Sequence, residues 1–132
     1  MMVAVPADFR GLRIEAAAIG DSIRVDGVLQ VYVARGSQMA IWRGFPHDIQ
    51  LTVTEVGTGR TFVTMDLSMN ISPHASLIEH YAAMPADRVV SQTFSQELRA
   101  RLPDLPSGLG TLEIAARYLQ HYSNAVRVHA ER

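Results

Sequence analysis

Residues 48–68, DIQLTVTEVGTGRTFVTMDLS, alternate apolar and polar residues on both sides of a glycine-containing turn. Successive side chains of a strand point to opposite faces, so this pattern predicts a β-hairpin with one apolar face. A three-residue loop at 57–59 would end in a left-handed residue, a conformation that suits Gly59. The resulting register makes three apolar pairs: Val53 with Val63, Leu51 with Met65, and Ile49 with Leu67. The hairpin is therefore interpreted as scaffold and not as a binding motif.

Two strands are predicted ahead of this hairpin. Residues 12–18 alternate and end at the turn signal Gly20-Asp21. Residues 23–33 form the longest alternation in the chain, and a turn inside it at Asp26-Gly27 would place apolar residues opposite polar ones, so one long strand is favoured. Gly27 is then expected to mark a bulge, a bend or a break between collinear strands. Residues 35–47 are interpreted as a connection, with a short strand at 39–42 as an option.

The segment after the hairpin is expected to cross between sheets. Residues 70–88 contain Pro73 and Pro85, and between them Ser76 and Glu79 fit a capping box that predicts a helix of about two turns. Residues 88–94 return to extended character. Apolar residues then recur at positions 94, 98 and 102, the spacing of one helix face. A strand running into a short helix is expected here.

A second hairpin is predicted at the end of the chain. Residues 103–110 form a turn-rich loop, and residues 112–119 alternate as a strand. A five-residue loop at 121–125 would join this strand to a last one at 126–130. Three pairs follow from that register: Tyr118 with Val128, Ala116 with Ala130, and Arg117 with His129.

The fold class follows from the number of strands and from their turns. About seven strands predict a mainly all-β chain, an antiparallel β-sandwich of about seven strands with one or two short helices in the crossovers. A chain of 132 residues fits one domain over residues 1–132. The apolar face of the first hairpin is expected to line the core between the sheets together with four residues of other strands: Leu29, Val31, Ile114 and Val128.

Residues 105–128, LPSGLGTLEIAARYLQHYSNAVRV, resemble the last two strands of immunoglobulin-like and fibronectin-III-like bacterial domains. In those domains a Leu-Pro-x-Gly turn leads into a strand that ends in an aromatic residue, and a Ser-Asn turn precedes the final strand. The resemblance covers about a fifth of the chain. It implies a β-sandwich with a binding or structural role, because such sandwiches rarely act as enzymes alone.

Composition excludes several kinds of chemistry. The chain has neither cysteine nor lysine, and all twelve basic residues are arginine, so disulfides, thiolate sites and lysine catalysis are ruled out. A net charge of −1 favours neither nucleic acid nor an anionic membrane as a partner. No apolar run approaches the roughly 20 residues of a spanning helix, and no secretory signal is visible. A cytoplasmic location is the default expectation.

Three groups of residues are candidates for binding. Trp42, Arg43 and Phe45 form an aromatic and basic cluster of the kind enriched at interface hot spots, although Trp42 would equally suit a plug at the end of the sandwich. The other two groups lie in the last hairpin. One is the aromatic cluster of Tyr118, His121 and Tyr122, and the other is the pair Arg117 and Arg127 on its outward face, where arginine would suit a carboxylate. An ordinary solvated sheet face is the competing interpretation of the arginines.

A metal site near the crossover is a further alternative. His74 and His80, with Glu79, carry ligand atoms for zinc, but their spacing does not bring them together on one helix face, so solvated or capping roles are favoured. No metal and no cofactor are expected.

The sequence supports two functional hypotheses. The leading one is a non-catalytic β-sandwich module that mediates protein–protein interaction or self-assembly, through the Trp42 loop or an exposed sheet edge. The alternative is a small-ligand-binding protein or hydrolase that uses a cleft near residues 70–87, with His74 or His80 as base. The identity of a small-molecule ligand is not indicated.

Overall fold

The computed structural model describes residues 3–35, 49–64, 86–118 and 121–130. Eight strands and a one-turn helix lie in these ranges: β1 (Gly11–Ile19), β2 (Ser22–Val33), β3 (Gln50–Glu55), β4 (Thr61–Val63), β5 (Arg88–Glu97), α1 (Leu98–Arg101), β6 (Gly110–Tyr118), β7 (His121–Tyr122) and β8 (Val126–Ala130). Every strand pair is antiparallel. Within the described ranges, no helix has the length and apolar character needed to cross a membrane.

The strands form two sheets. The first has the order β1-β2-β5, and the second has the order β4-β3-β6, with β7 and β8 both paired to the far side of β6. Buried apolar side chains from both sheets form one cluster between them. The predicted antiparallel all-β sandwich is confirmed, and α1 lies in a crossover between the sheets. The buried set includes the following predicted core residues: Leu29, Val31, Ile49, Leu51, Val53, Ile114 and Val128.

β1 and β2 form a hairpin that confirms two predictions. A two-residue turn at Gly20-Asp21 joins them, with Ile19 opposite Ser22, and Gly20 has the positive φ of +59° that such turns require. β2 then runs unbroken for 12 residues through Asp26 and Gly27. Hydrophobic register thus outweighed the local turn signal, because a turn at this position would have mixed the two faces.

Of the features expected at Gly27, a bulge and a break between strands are both excluded. Pairing continues without a slip on both sides of β2, where Gly27 lies opposite Ile14 of β1 and Phe94 of β5. The Phe94 ring occupies the space that a Cβ at position 27 would need, and the Arg13 carbonyl oxygen would lie 3.1 Å from that atom. Glycine stands in this central strand because an aromatic ring from the neighbouring strand packs directly on its backbone.

The predicted register of the first hairpin is wrong by one residue. Val53 lies opposite Phe62 and not Val63, because the loop comprises the four residues 56–59. The Glu55 N–H donates to the Arg60 carbonyl at 2.8 Å, closing that loop. A one-residue shift exchanges the faces of β4, so Phe62 packs against the core and Val63 is 48% exposed.

Two further parts of the hairpin prediction have different outcomes. Gly59 has a φ of +78°, so the expected left-handed residue at the end of the loop is confirmed. Met65 and Leu67 lie outside the described residues, as do the predicted strand at 39–42 and the capping-box helix at 76–79. Thr64, the last described residue of this segment, is buried, and its Oγ1 accepts the Leu51 N–H at 2.9 Å.

The strand running into a short helix is confirmed. β5 ends at Glu97, whose carboxylate caps α1 by accepting the Ala100 N–H at 2.9 Å and also accepts the Ile23 N–H at 3.0 Å. From the last residue of α1, Arg101 donates to the Ile49 carbonyl at 2.7 Å. These contacts join α1 to both sheets.

The predicted register of the last hairpin is also wrong. Val128 lies opposite Leu112 and not Tyr118, six positions further along β6. The chain reverses earlier than expected, since His121 already pairs with Tyr118 and only residues 119–120 lie between them. The shift is even, so the inward and outward sets are unchanged, and the periodicity of the sequence could not distinguish the two registers.

Candidate functional site

The structure places the predicted binding residues in different environments. Trp42, Arg43 and Phe45 lie outside the described residues. The histidines His74 and His80, together with Glu79 and the remainder of the 70–85 segment, also lie outside them. Among the residues that are described, no three His, Asp or Glu side chains are grouped so as to hold a metal ion.

The aromatic cluster of the last hairpin is divided between core and surface. Tyr118 is 1% exposed and belongs to the inter-sheet core. His121 is partly buried in β7. Tyr122 is 71% exposed, so its ring is the one of this cluster that lies at the surface.

The two predicted arginines lie on the outward face of the second sheet. Arg127 Nε lies 3.1 Å from Glu113 Oε1, its cross-strand neighbour. Arg117 lies opposite Gln50 and is partly buried. The predicted pairing of Arg117 with His129 is wrong, because His129 lies opposite Thr111 in the observed register. This face has the mixed polar character of a solvated sheet.

Within the described ranges, β1 pairs with a strand on its β2 side alone, and its other edge is called the free edge here. A cleft of about 230 Å³ lies where this free edge meets the last hairpin. Residues 9–13 form one wall and residues 122–124 form the other. Of the predicted binding residues, Tyr122 lines this cleft. Arg10 and Arg13 line it too, and the sequence did not single them out for binding.

A tight turn ahead of β1 positions the first wall. The Phe9 N–H donates to the Pro6 carbonyl at 3.0 Å, which closes the turn. Gln30, on the outward face of β2, anchors it: its Nε2 lies 3.1 Å, 3.3 Å and 2.9 Å from the carbonyl oxygens of Pro6, Ala7 and Phe9. Gln30 is 9% exposed, so this amide is a buried group whose donors are satisfied by the turn.

Gly11 is the first residue of β1 and connects the turn to the strand. Its φ of +128° is costly for a residue with a side chain, and it lies directly opposite Gln30. The Phe9 ring approaches to 3.7 Å of the place where a Cβ would stand. That distance is an ordinary contact, so the positive φ, and not a lack of space, is the reason for glycine at the start of β1.

Asn124 joins the two walls. The strand paired with β6 is interrupted at residues 123–125, between β7 and β8, and Asn124 lies in this interruption. The irregular backbone there directs the Asn124 side chain toward β1. Its Oδ1 accepts the Ile14 N–H at 2.9 Å, and its Nδ2 donates to the Ile14 carbonyl at 3.1 Å. The amide thus occupies one position of the free edge of β1 in the way that a neighbouring strand would.

The cleft is rich in donors. Arg10 Nη1 donates to the carbonyls of Ala7 at 2.9 Å and Phe9 at 2.7 Å, which holds its guanidinium at the surface. The Arg13 guanidinium makes no hydrogen bond or ion pair with any residue in the described part of the chain. No carboxylate is among the residues that line the cleft. The arrangement suits a small anionic group.

A different surface lies at the opposite edge of the same sheet. Tyr32 at 57% and Val89 at 39% exposure lie opposite each other on β2 and β5. A hydrogen bond to the Asp87 carboxylate, with smaller effects of desolvation and charge repulsion, raises the pKa of the Tyr32 phenol above its ordinary value. In the described ranges, no strand pairs with the outer edge of β5.

Comparisons with models of known families, with curated proteins and with solved structures find no match to this chain. Its function is therefore inferred from the geometry of its own residues.

Proposed function

We propose that this chain is a non-catalytic, immunoglobulin-like β-sandwich module that binds another protein chain, or a second copy of itself, by adding a strand to the outer edge of β5. The strand order supports the module class. In immunoglobulin-type domains the first, second and fifth strands (A, B and E) share one sheet, while the third, sixth and seventh (C, F and G) share the other. Here β1, β2 and β5 form one sheet, and β3, β6 and β7–β8 form the other, with β4 at the edge beside β3.

The observation that carries the proposal is the direction of the β5 backbone groups. In a hairpin with a two-residue turn, the pair next to the turn is a hydrogen-bonded pair, and here that pair is Ile19 with Ser22. Hydrogen-bonded pairs recur at every second residue, so the backbone groups of the even-numbered residues of β2 bond to β1 and those of the odd-numbered residues point to β5. Gly27 lies opposite Phe94, so the even-numbered residues of β5 bond to β2. The N–H and C=O groups of four residues then point away from the sheet: Val89, Ser91, Thr93 and Ser95.

The amino-acid composition of β5 permits pairing with another strand. Between Arg88 and Glu97, β5 contains neither charge nor proline, the devices that usually protect an edge strand from pairing. Ser91, Thr93 and Ser95 are exposed, and Val89 with Tyr32 adds apolar surface at one end. Strand addition draws its affinity from backbone hydrogen bonds and its selectivity from such side-chain contacts.

Sedimentation velocity and light scattering over a wide range of protein concentration test the proposal. Lysine at Ser91 and Thr93 should abolish self-association, or remove partners captured from the source lysate, because charges on the outer strand oppose pairing. Thr61→Lys, on the exposed edge strand β4 of the other sheet, is the matched control and should change neither. If the lysine variant of β5 and the Thr61→Lys control associate equally well, the outer edge of β5 is not the binding surface.

Amide hydrogen exchange of the monomer provides a second readout. The N–H groups of Ser91, Thr93 and Ser95 should exchange quickly in dilute solution, while those of Gln92 and Phe94 should be protected by β2. On association the outward amides should become protected. Protection of all five amides already in the monomer would show that the edge is covered by the chain itself and would overturn the proposal.

A further inference from the structure

We infer that the cleft between β1 and the last hairpin is a binding site for the carboxylate of an extended acidic peptide. This site lies at the opposite edge of the first sheet from β5, and it stands or falls independently of strand addition there. The inference rests on three features of the cleft: a pair of backbone groups at the edge of β1 that has no partner among the described residues, two arginines without a lining carboxylate, and an edge that is closed one residue pair further along.

Leu12 supplies the backbone groups. Its Cα lies opposite Leu29 of β2, two residues from Ile14, and the Ile14 N–H and C=O point to the free edge where Asn124 binds them. Residues two apart in a strand direct their backbone groups the same way, so the Leu12 N–H and C=O also face the free edge, and Leu12 lines the cleft. One residue of an extended peptide can pair there in antiparallel fashion.

The Asn124 bridge sets the length of chain that fits. Because the Asn124 side chain already occupies the backbone groups of Ile14, a strand added at Leu12 cannot continue along β1 past that point. On the other side, the positive φ of Gly11 turns the chain away from strand geometry. The edge therefore accepts a single residue pair and not a long strand, which separates this site from an ordinary sheet edge.

Charge defines the chemical class of the ligand. Arg13 is exposed, follows Leu12 directly, and has no partner among the described residues, while Arg10 stands at the other end of the same wall. Arginine presents paired donors that match a carboxylate, and such charge-assisted bonds are stronger than neutral ones. Asp8 and Glu15, the acidic residues closest to this wall in the sequence, do not line the cleft. A carboxylate next to one extended peptide unit supplies acceptors for the Arg13 guanidinium and for the Leu12 N–H, while Arg10 Nη1 keeps its bonds to the Ala7 and Phe9 carbonyls.

The exposed ring of Tyr122 forms the facing side of the cleft. Together with the partly buried Phe9, it supplies an apolar surface against which a side chain of the bound residue can pack. The site thus combines backbone pairing, charge and an apolar contact within about 230 Å³. That volume suits the end or a single acidic residue of a peptide.

Titration of the full chain with three short peptides, followed by ¹⁵N NMR, tests the inference. The probes are N-acetyl-Ala-Ala with a free carboxylate, the same peptide as its C-terminal amide, and N-acetyl-Ala-Glu-Ala-amide. The free acid should shift the Leu12 amide, the Arg13 Nε–H and the Tyr122 amide, and it should bind about tenfold more tightly than the neutral amide. If the glutamate peptide binds, the site accepts the side-chain carboxylate of an internal acidic residue. If only the free acid binds, the site is specific for the carboxylate at the C-terminus of a chain.

Arg13→Gln is the discriminating variant. It should weaken binding of the free acid about tenfold without altering the fold, since Arg13 is exposed and makes no contact that the strand needs. Arg88→Gln, an exposed strand arginine at the far edge of the same sheet, should bind as wild type. Equal affinity for acid and amide, an unchanged Arg13→Gln variant, or tighter binding of inorganic phosphate than of the free acid would overturn the inference.

Discussion

The side chain of Asn124 binds both backbone groups of Ile14, at 2.9 Å and 3.1 Å, across 110 residues of sequence. Ile14 lies in the first sheet and Asn124 lies between two strands of the second, so one primary amide takes the place of a strand at the edge of β1. This bridge satisfies a half-buried N–H and C=O that would otherwise lack partners at the edge of β1, and it closes one side of the sandwich.

Asn124→Ala should therefore destabilise the protein by about 1–3 kcal/mol, the cost of leaving backbone groups without partners. Asn124→Asp should not restore stability, because a carboxylate accepts the Ile14 N–H but cannot donate to the Ile14 carbonyl. Urea unfolding monitored by circular dichroism measures both. Gln92→Ala, which truncates an exposed amide on β5, should stay within about 0.5 kcal/mol of wild type. If Asn124→Ala lost no more stability than Gln92→Ala, the Asn124 side chain would not be stabilising the edge of β1.

Gly27→Ala should be destabilising because the new Cβ would overlap the Phe94 ring. Forced repacking of this kind costs about 1–3 kcal/mol. Adding Phe94→Leu to Gly27→Ala should cost less than the sum of the two single changes, because the smaller side chain makes room for the methyl group. Strict additivity in urea unfolding would show that the ring and the glycine are not coupled.

Gly59→Ala should cost roughly 1–2 kcal/mol, because an L-residue is strained at a φ of +78°. Gly57→Ala in the same loop is the matched control. No atom lies within 4 Å of the place of its Cβ, and its φ is not in the left-handed region, so the change should be nearly neutral. Thermal unfolding of the two variants distinguishes a backbone effect from a loss of loop packing. Equal losses would reject the conformational explanation.

The Tyr32 phenol should titrate above its ordinary pKa of 10.0, and Asp87→Asn should lower that pKa. Because the pKa is raised in the folded state, the associated stabilisation is fully present below pH 10.0 and is lost as pH rises through the raised value. Phenolate absorbance of wild type, corrected with Tyr32→Phe, gives the titration. An unchanged Tyr32 titration in Asp87→Asn would show that the carboxylate does not cause the shift.

Alternation was enough to identify β2 and β6, because each strand buries one continuous apolar face and any other secondary structure would mix the two faces. It was not enough to identify the register of β4. Phe62 and Val63 are both apolar, so either could face the core, and the four-residue loop closed by Glu55 and Arg60 decided between them. In the last hairpin, an even shift leaves the faces unchanged, and side-chain period cannot detect it.

Side-chain period and local backbone preference, both of which can be read from the amino-acid sequence, were enough to predict the long β2, the left-handed residue Gly59 and every described strand except β7, which lies within the predicted loop at 121–125. The cleft, in contrast, exists only through contacts between distant parts of the chain. Arg13 and Tyr122 are more than a hundred residues apart, and nothing in the local pattern of either indicates the other. They meet because the edge of the first sheet lies against the interruption between β7 and β8, where the Asn124 amide binds Ile14.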